Sequence, residues 1–121
     1  MANVVVWFDV PTTDFDRAVA FYSEILGAPV RVQEYEGQKL GFFPMEGEGN
    51  GGDIVPPGLG GPKPGAEGTR IYLNCEGKLD QVLSRVEKAG GQIISPPFQI
   101  PDGRIAIISD TEGNTIGLHS A

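Results

Sequence analysis

Residues 110–114 read Asp110-Thr111-Glu112-Gly113-Asn114, and their last three repeat an earlier tripeptide, Glu48-Gly49-Asn50, at an offset of 64 positions. At the same offset Phe15 falls on Leu79 and Gly27 on Gly91. The apolar stretch 7–12 falls on 70–75 at offset 63, so a one-residue insertion near Gly77 accounts for the change. Each half reads as a strand, a helix and then about three strands. Agreement in element order, helix-terminal glycine and an identical tripeptide points to an internal duplication. A half of this size with one sheet face exposed is marginal alone, so the halves are expected to pack together or to exchange with a second chain.

The local patterns supply the elements. Residues 3–10 (Asn-Val-Val-Val-Trp-Phe-Asp-Val) are β-branched and aromatic, which suits a half-buried strand ended by Pro11. Thr13 with Asp16 three positions on predicts an N-cap. Phe15, Val19, Tyr22 and Leu26 follow at helical spacing, and Gly27 suits the left-handed residue that closes a helix. Strands are predicted at 29–35, 38–44 and about 51–55. In the second half they are predicted at 70–75, 92–95, 103–109 and 114–119, with a helix carrying Leu79, Val82, Leu83 and Val86 and stopped by Gly90-Gly91. Between the halves, residues 56–69 hold nine Gly or Pro among 14, so neither helix nor strand is expected there. A connection of that length points to a functional loop, a lid or a linker.

Composition bounds the function. The 121 residues include 18 Gly and 10 Pro, but 40% are hydrophobic and 21% charged, enough apolar surface for one packed domain. Nine Lys and Arg against 16 Asp and Glu leave a net charge of −7 with no basic cluster, which argues against nucleic acid and anionic membranes as partners. Cys75 is the single cysteine, so no intrachain disulfide forms and a reducing, cytoplasmic setting is expected. The opening residues carry neither a basic n-region nor a long apolar run, which predicts no signal peptide and no membrane span. Glu46 and Glu48 flank glycine in a turn and read as solvated, and 47–52 lacks the Lys-Ser/Thr and the helix of a phosphate loop.

The duplicated unit resembles the vicinal oxygen chelate superfamily, which includes glyoxalase I, extradiol dioxygenases and bleomycin-resistance proteins. The matching stretches are Trp7-Phe8-Asp9-Val10-Pro11, Asp14-Phe15-Asp16-Arg17-Ala18, Phe21-Tyr22 with Leu26-Gly27, Tyr72-Leu73-Asn74, Asp110 to Asn114, and Ile116-Gly117-Leu118-His119-Ser120. The resemblance implies an α+β fold of two tandem βαβββ modules, about 1–55 and 70–121 on either side of the 56–69 connection, each an open sheet curled into a cup. It also implies four metal-ligand positions on the first and last strands of the modules. These fall on Trp7, Asp53, Arg70 and Gly117, of which Asp53 alone has a ligating side chain. Arg70 would set a cation where the metal lies in related enzymes. No cofactor is therefore expected, with a divalent metal the disfavoured alternative.

Alternation along strands puts further residues on the same face. With Trp7 goes Asp9; with Arg70 go Tyr72 and Asn74; with Gly117 go Thr115 and His119. The candidate ligand-binding set is therefore Trp7, Asp9, Asp53, Arg70, Tyr72, Asn74 and His119, an aromatic wall with an Arg–Asp pairing between Arg70 and Asp53 or Asp9. Each has a plainer alternative: Trp7 as core, Arg70 with Asp53 as a structural ion pair, His119 as a hydrogen-bonded surface group. Cys75 reads as an inert buried thiol. The expected function is binding of a small organic molecule in the cup by a homodimer. The alternatives are a lyase or dioxygenase-type enzyme (lactoylglutathione-lyase-like) with an atypical metal site using Asp53 or His119, and a non-catalytic interaction module.

Overall fold

The computed structural model describes residues 4–58 and 63–121. Asn3, at the start of the first predicted strand, and residues 59–62 of the connection lie outside the described residues. The elements run β1 (Trp7–Pro11), α1 (Phe15–Leu26), β2 (Arg31–Tyr35), β3 (Gln38–Phe42), β4 (Gly51–Val55), β5 (Tyr72–Asn74), α2 (Leu79–Val86), β6 (Gln92–Ile100), β7 (Gly103–Ser109) and β8 (Thr115–Ser120). They form two open four-stranded sheets with the same internal order, β1-β4-β3-β2 and β5-β8-β7-β6. In each, the first strand pairs in parallel with the last and the remaining pairs are antiparallel. The two βαβββ modules expected from the repeat are present.

The strand period of two divides each sheet into an inner and an open face. Val10, Ile54, Leu73, Ala106, Ile108, Ile116 and Leu118 point inward, where they meet Phe21, Tyr22 and Ile25 of α1 and Leu79, Val82 and Val86 of α2. One apolar core therefore spans both modules, and each fully buried side chain in it contributes about 1.5–3 kcal/mol. Trp7, Asp9, Tyr72 and Asn74 occupy the alternate positions and are exposed.

Several boundaries differ from the sequence expectation for physical reasons. Strand β1 starts at Trp7, with Val4, Val5 and Val6 exposed ahead of it, and it includes Pro11. It is an edge strand, where the missing proline N–H costs no ladder bond. The same reason lets β6, at the opposite edge of its sheet, run through Pro96-Pro97 to Ile100 with register shifts, well past the expected end at residue 95. The N-cap of α1 is Asp14, whose carboxylate accepts the Arg17 N–H at 3.1 Å; it is not Thr13. At the far end Gly27, with φ of 67°, closes α1 as expected. No side chain caps α2, and its Gly91 packs tightly on the Phe21 ring.

Thr13 loses the cap role because a residue of the other module holds it. Glu112, in the turn between β7 and β8, accepts the N–H groups of Thr13 and Asp14 at 2.8 Å each and the Thr13 hydroxyl at 3.0 Å. Its second oxygen receives Arg17 Nε at 2.8 Å and the Thr111 hydroxyl at 2.8 Å. Beside it, Asp110 accepts the buried Tyr22 hydroxyl at 2.6 Å, and the Asn114 amide donates to the Pro11 carbonyl at 2.9 Å. Burial of Glu112 favours the neutral acid, but Arg17 and the N–H and hydroxyl donors outweigh it and hold the carboxyl at about 2. The Asp110-to-Asn114 turn is thus a polar clasp fastening the second module to the first helix.

Candidate functional site

Strands β1, β3 and β4 build the first half of the site. Parallel register sets Asp9 beside Asp53 and Trp7 beside Gly51, and antiparallel register sets Phe42 beside Asp53. The indole lies over Gly51, with its Cζ3 3.5 Å from where a Cβ would be, an ordinary contact distance. Trp7 Nε1 donates to Asp53 Oδ1 at 3.2 Å, and the Trp7 and Phe42 rings meet edge to face with centroids 6.0 Å apart. Trp7 remains 46% exposed, so it is not a core residue. Arg31 completes the group with its guanidinium 4.9 Å from the Phe42 centroid.

Asp53 is buried, and that burial, with Asp9 alongside, pushes its carboxyl up to about 7 against the opposing pull of the Trp7 hydrogen bond. The face therefore carries a carboxyl that can hold or release a proton near neutral pH, beside the exposed Asp9 and an aromatic wall.

The second module contributes a different set. The Tyr72 ring lies over Gly117, and a Cβ there would overlap the ring. The repeat offset makes Tyr72–Gly117 the counterpart of Asp9–Asp53, so a tyrosine ring fills the space where the first module has its second carboxylate. Arg70 precedes β5, and its Nη1 donates to the Tyr72 hydroxyl at 3.3 Å. Asn74 and His119 are cross-strand partners. Asn74 accepts the Glu76 N–H at 2.9 Å, and His119 Nε2 lies 2.6 Å from the Asp102 carbonyl.

The expected pairing of Arg70 with Asp53 or Asp9 is not formed. The ion pairs among the described residues are Arg17–Glu112 and Arg104–Asp80. The Asp53 oxygen already takes the indole N–H, while Arg70, outside the strand, follows the Tyr72 hydroxyl. The structure thus gathers Trp7, Asp9 and Asp53 into one group and Arg70 with Tyr72 into another. Each group opens on a cavity of its own: Asp9 lines one of about 60 Å³ with Ile71 and Thr115, and Tyr72 lines another of about 230 Å³ with Phe8 and Gly51. Phe42 and Arg31 were not singled out by sequence. The period-two alternation of 31–35 against 38–42 places them on this face once the hairpin register is known.

A model of the Glyoxalase/Bleomycin resistance protein/Dioxygenase superfamily matches residues 4–118. The chain belongs to this superfamily. A Mycobacterium bovis protein named "Putative glyoxylase CFP32" is 32% identical over 120 residues, covering 95% of this chain and 44% of its own length. The chain spans less than half of that relative. Among solved structures, TnmS3, an antibiotic binding protein from Streptomyces sp. CB03234, superposes with a TM-score of 0.69 at 26% identity, over 99% of this chain and 98% of its own. A glyoxalase/bleomycin resistance protein from Albidiferax ferrireducens T118 superposes with a TM-score of 0.75 at 18% identity, over 98% of this chain and 99% of its own, which is a likeness of fold. At the four positions the resemblance implied for metal ligands, the structure has the Trp7 indole N–H, the Asp53 carboxyl, the Arg70 guanidinium and Gly117 under the Tyr72 ring. Among the described residues no three or more His, Cys, Asp or Glu side chains gather where they could hold a metal.

Proposed function

We propose that the chain binds a small organic molecule on the open face carrying Trp7, Asp9 and Asp53, with Tyr72, Arg70, Asn74 and His119 bordering it, and that it does so without a divalent metal. The observation that carries this is the Trp7–Asp53 hydrogen bond. It occupies the one ligating side chain with a donor and leaves the indole half-exposed, ready to stack on a flat ligand. The similarity to an antibiotic binding protein supports a small organic ligand. The residues do not fit a catalytic divalent ion, which commonly takes three protein ligands and an open position.

Trp7 is the chain's single tryptophan, so its fluorescence reports directly on this face. A library of aromatic and heteroaromatic small molecules is screened by thermal shift and by Trp7 quenching, with Trp7→Phe and Asp53→Asn as controls. Hits that shift the melting temperature and lose affinity in both variants support the reading. Hits with unchanged affinity in both, or a stoichiometric divalent ion in protein purified without chelator, sink it.

A second, catalytic reading draws on Asp53: a carboxyl at about 7 beside Asp9 can move a proton to or from a bound molecule at neutral pH. A pH profile of turnover with any hit, lost in Asp53→Asn, separates it from binding alone. We further propose a homodimer in a reducing, cytoplasmic setting. Exposed Val32, Tyr35, Ile93, Ile94 and Phe98 support a covering second copy, and the lone buried Cys75 supports the compartment. Light scattering of the purified chain tests the dimer; a monomer mass across the micromolar range overturns it.

A further inference from the structure

The duplication predicts two clasps, and the structure closes one. Glu112 and Asn114 fasten the β7–β8 turn onto the start of α1. Their counterparts Glu48 and Asn50 should fasten the β3–β4 loop onto the start of α2. Instead the Asn50 amide turns to the Val5 carbonyl, exposed Glu48 makes no side-chain hydrogen bond among the described residues, and α2 has no side-chain cap. The gap left by the unclosed clasp is a cavity of about 520 Å³ between loop 44–50 and the first turn of α2. That volume is within the range of ligand sites, roughly 300–1,000 Å³.

Its walls have a defined chemistry. Leu26, Val82 and Met45, the last an unbranched and adaptable side chain, give the apolar part of the lining. Glu46, Glu48 and Glu76 stand on the polar side against Lys78 alone. Three carboxylates against one ammonium leave an excess of negative charge beside that apolar part. Trp7, Asp9 and Asp53 do not line this space.

We propose that this cleft, whose lining includes Asn74 but none of Trp7, Asp9 or Asp53, is a second binding site and that it takes a small organic cation: an ammonium group on an apolar body. The body lies on Leu26, Met45 and Val82 while the ammonium faces the Glu48 and Glu76 carboxylates.

The test is a two-dimensional NMR titration of the isotope-labelled full chain at low salt, using 2-phenylethylamine, its neutral N-acetyl derivative and 3-phenylpropanoate. The amine should give saturable shifts at residues 45–50 and 76–82. Its two analogues should bind more weakly, by about two- to fivefold or more, as expected for loss of partly exposed ion pairs. Glu48→Gln and Glu76→Gln, both at exposed positions where folding is not at risk, should each weaken the amine by a similar factor and leave the neutral analogue unchanged. Trp7→Phe should leave the amine titration as it was, which keeps this site distinguishable from the first. Absence of saturable shifts with the amine, equal binding of the neutral analogue, shifts centred on Trp7 and Asp53, or unchanged affinity in both glutamine variants would each overturn the proposal.

Discussion

Glu112 and Arg17 meet as a fork across the two modules: Nε lies 2.8 Å from one carboxylate oxygen and Nη2 lies 3.0 Å from the other. The carboxylate has no side-chain exposure, so its partners rather than water keep it ionised. Glu112→Gln is expected to cost on the order of 2–4 kcal/mol, because Arg17 and the Thr13 and Asp14 N–H groups lose their acceptor charge. Urea unfolding at pH 7 reads this directly, and an unchanged midpoint would contradict it.

The same carboxyl sets an acid limit. Its folded value, about 2, lies below its ordinary value of 4.5, so the charged form is favoured by folding. That stability is fully present above about pH 4.5 and is lost as pH falls toward 2, on the order of 3 kcal/mol in total. Chemical denaturation from pH 6 to 2.5 should show the decline in the parent chain and a much flatter profile in Glu112→Gln.

Asp53 works in the opposite sense. Its folded value, about 7, lies above the ordinary 3.8, so folding favours the protonated form and loses stability as pH climbs between these values. Asparagine keeps an oxygen for the Trp7 indole and carries no charge. Asp53→Asn should therefore stabilise the chain at pH 8, by roughly 1–2 kcal/mol after allowance for solvent near the site, and have little effect at pH 4. Thermal melts at the two pH values decide it; a variant less stable at pH 8 would refute the assignment.

Gly117 and Tyr72 should behave as one unit. Gly117→Ala drives a methyl into the Tyr72 ring and should cost about 1–3 kcal/mol, whereas adding Tyr72→Ala frees the space and recovers most of the loss. A double-mutant cycle measures the coupling, and strict additivity would show that the ring moves aside without cost.

Cys75 is buried, and that burial pushes its thiol up to about 11. Under native conditions at pH 8 it should resist a disulfide-exchange reagent for hours and react at once in denaturant. Rapid stoichiometric labelling of the folded chain would contradict that burial.

The elements of the repeat were legible because they rest on local rules. Strand alternation, helical spacing and the left-handed Gly27 act within a few residues of chain. What was not legible depends on distant partners. Thr13 looks like a cap and sits in the right place, but Glu112 claims it from the other module. Arg70 and Asp53 are complementary charges, yet Trp7 reaches the carboxylate first. Edge positions hid the true extent of β1 and β6, because nothing local tells a proline-tolerant edge strand from a strand end. Glu48-Gly49-Asn50 shows the limit most directly, since an identical tripeptide closes a clasp in one half and leaves a cleft in the other.

The clasp has a consequence for the order in which the chain can fold. The carboxylate that closes over the start of α1 lies 99 positions from Thr13, a long-range contact of the kind that forms late. Synthesis delivers α1 long before it delivers residues 110–114. Until then its opening N–H groups, Arg17 and the Tyr22 hydroxyl have only water or transient partners. Closing the 110–114 turn then supplies those partners and joins the two halves. A helix begun early is completed by a turn made late.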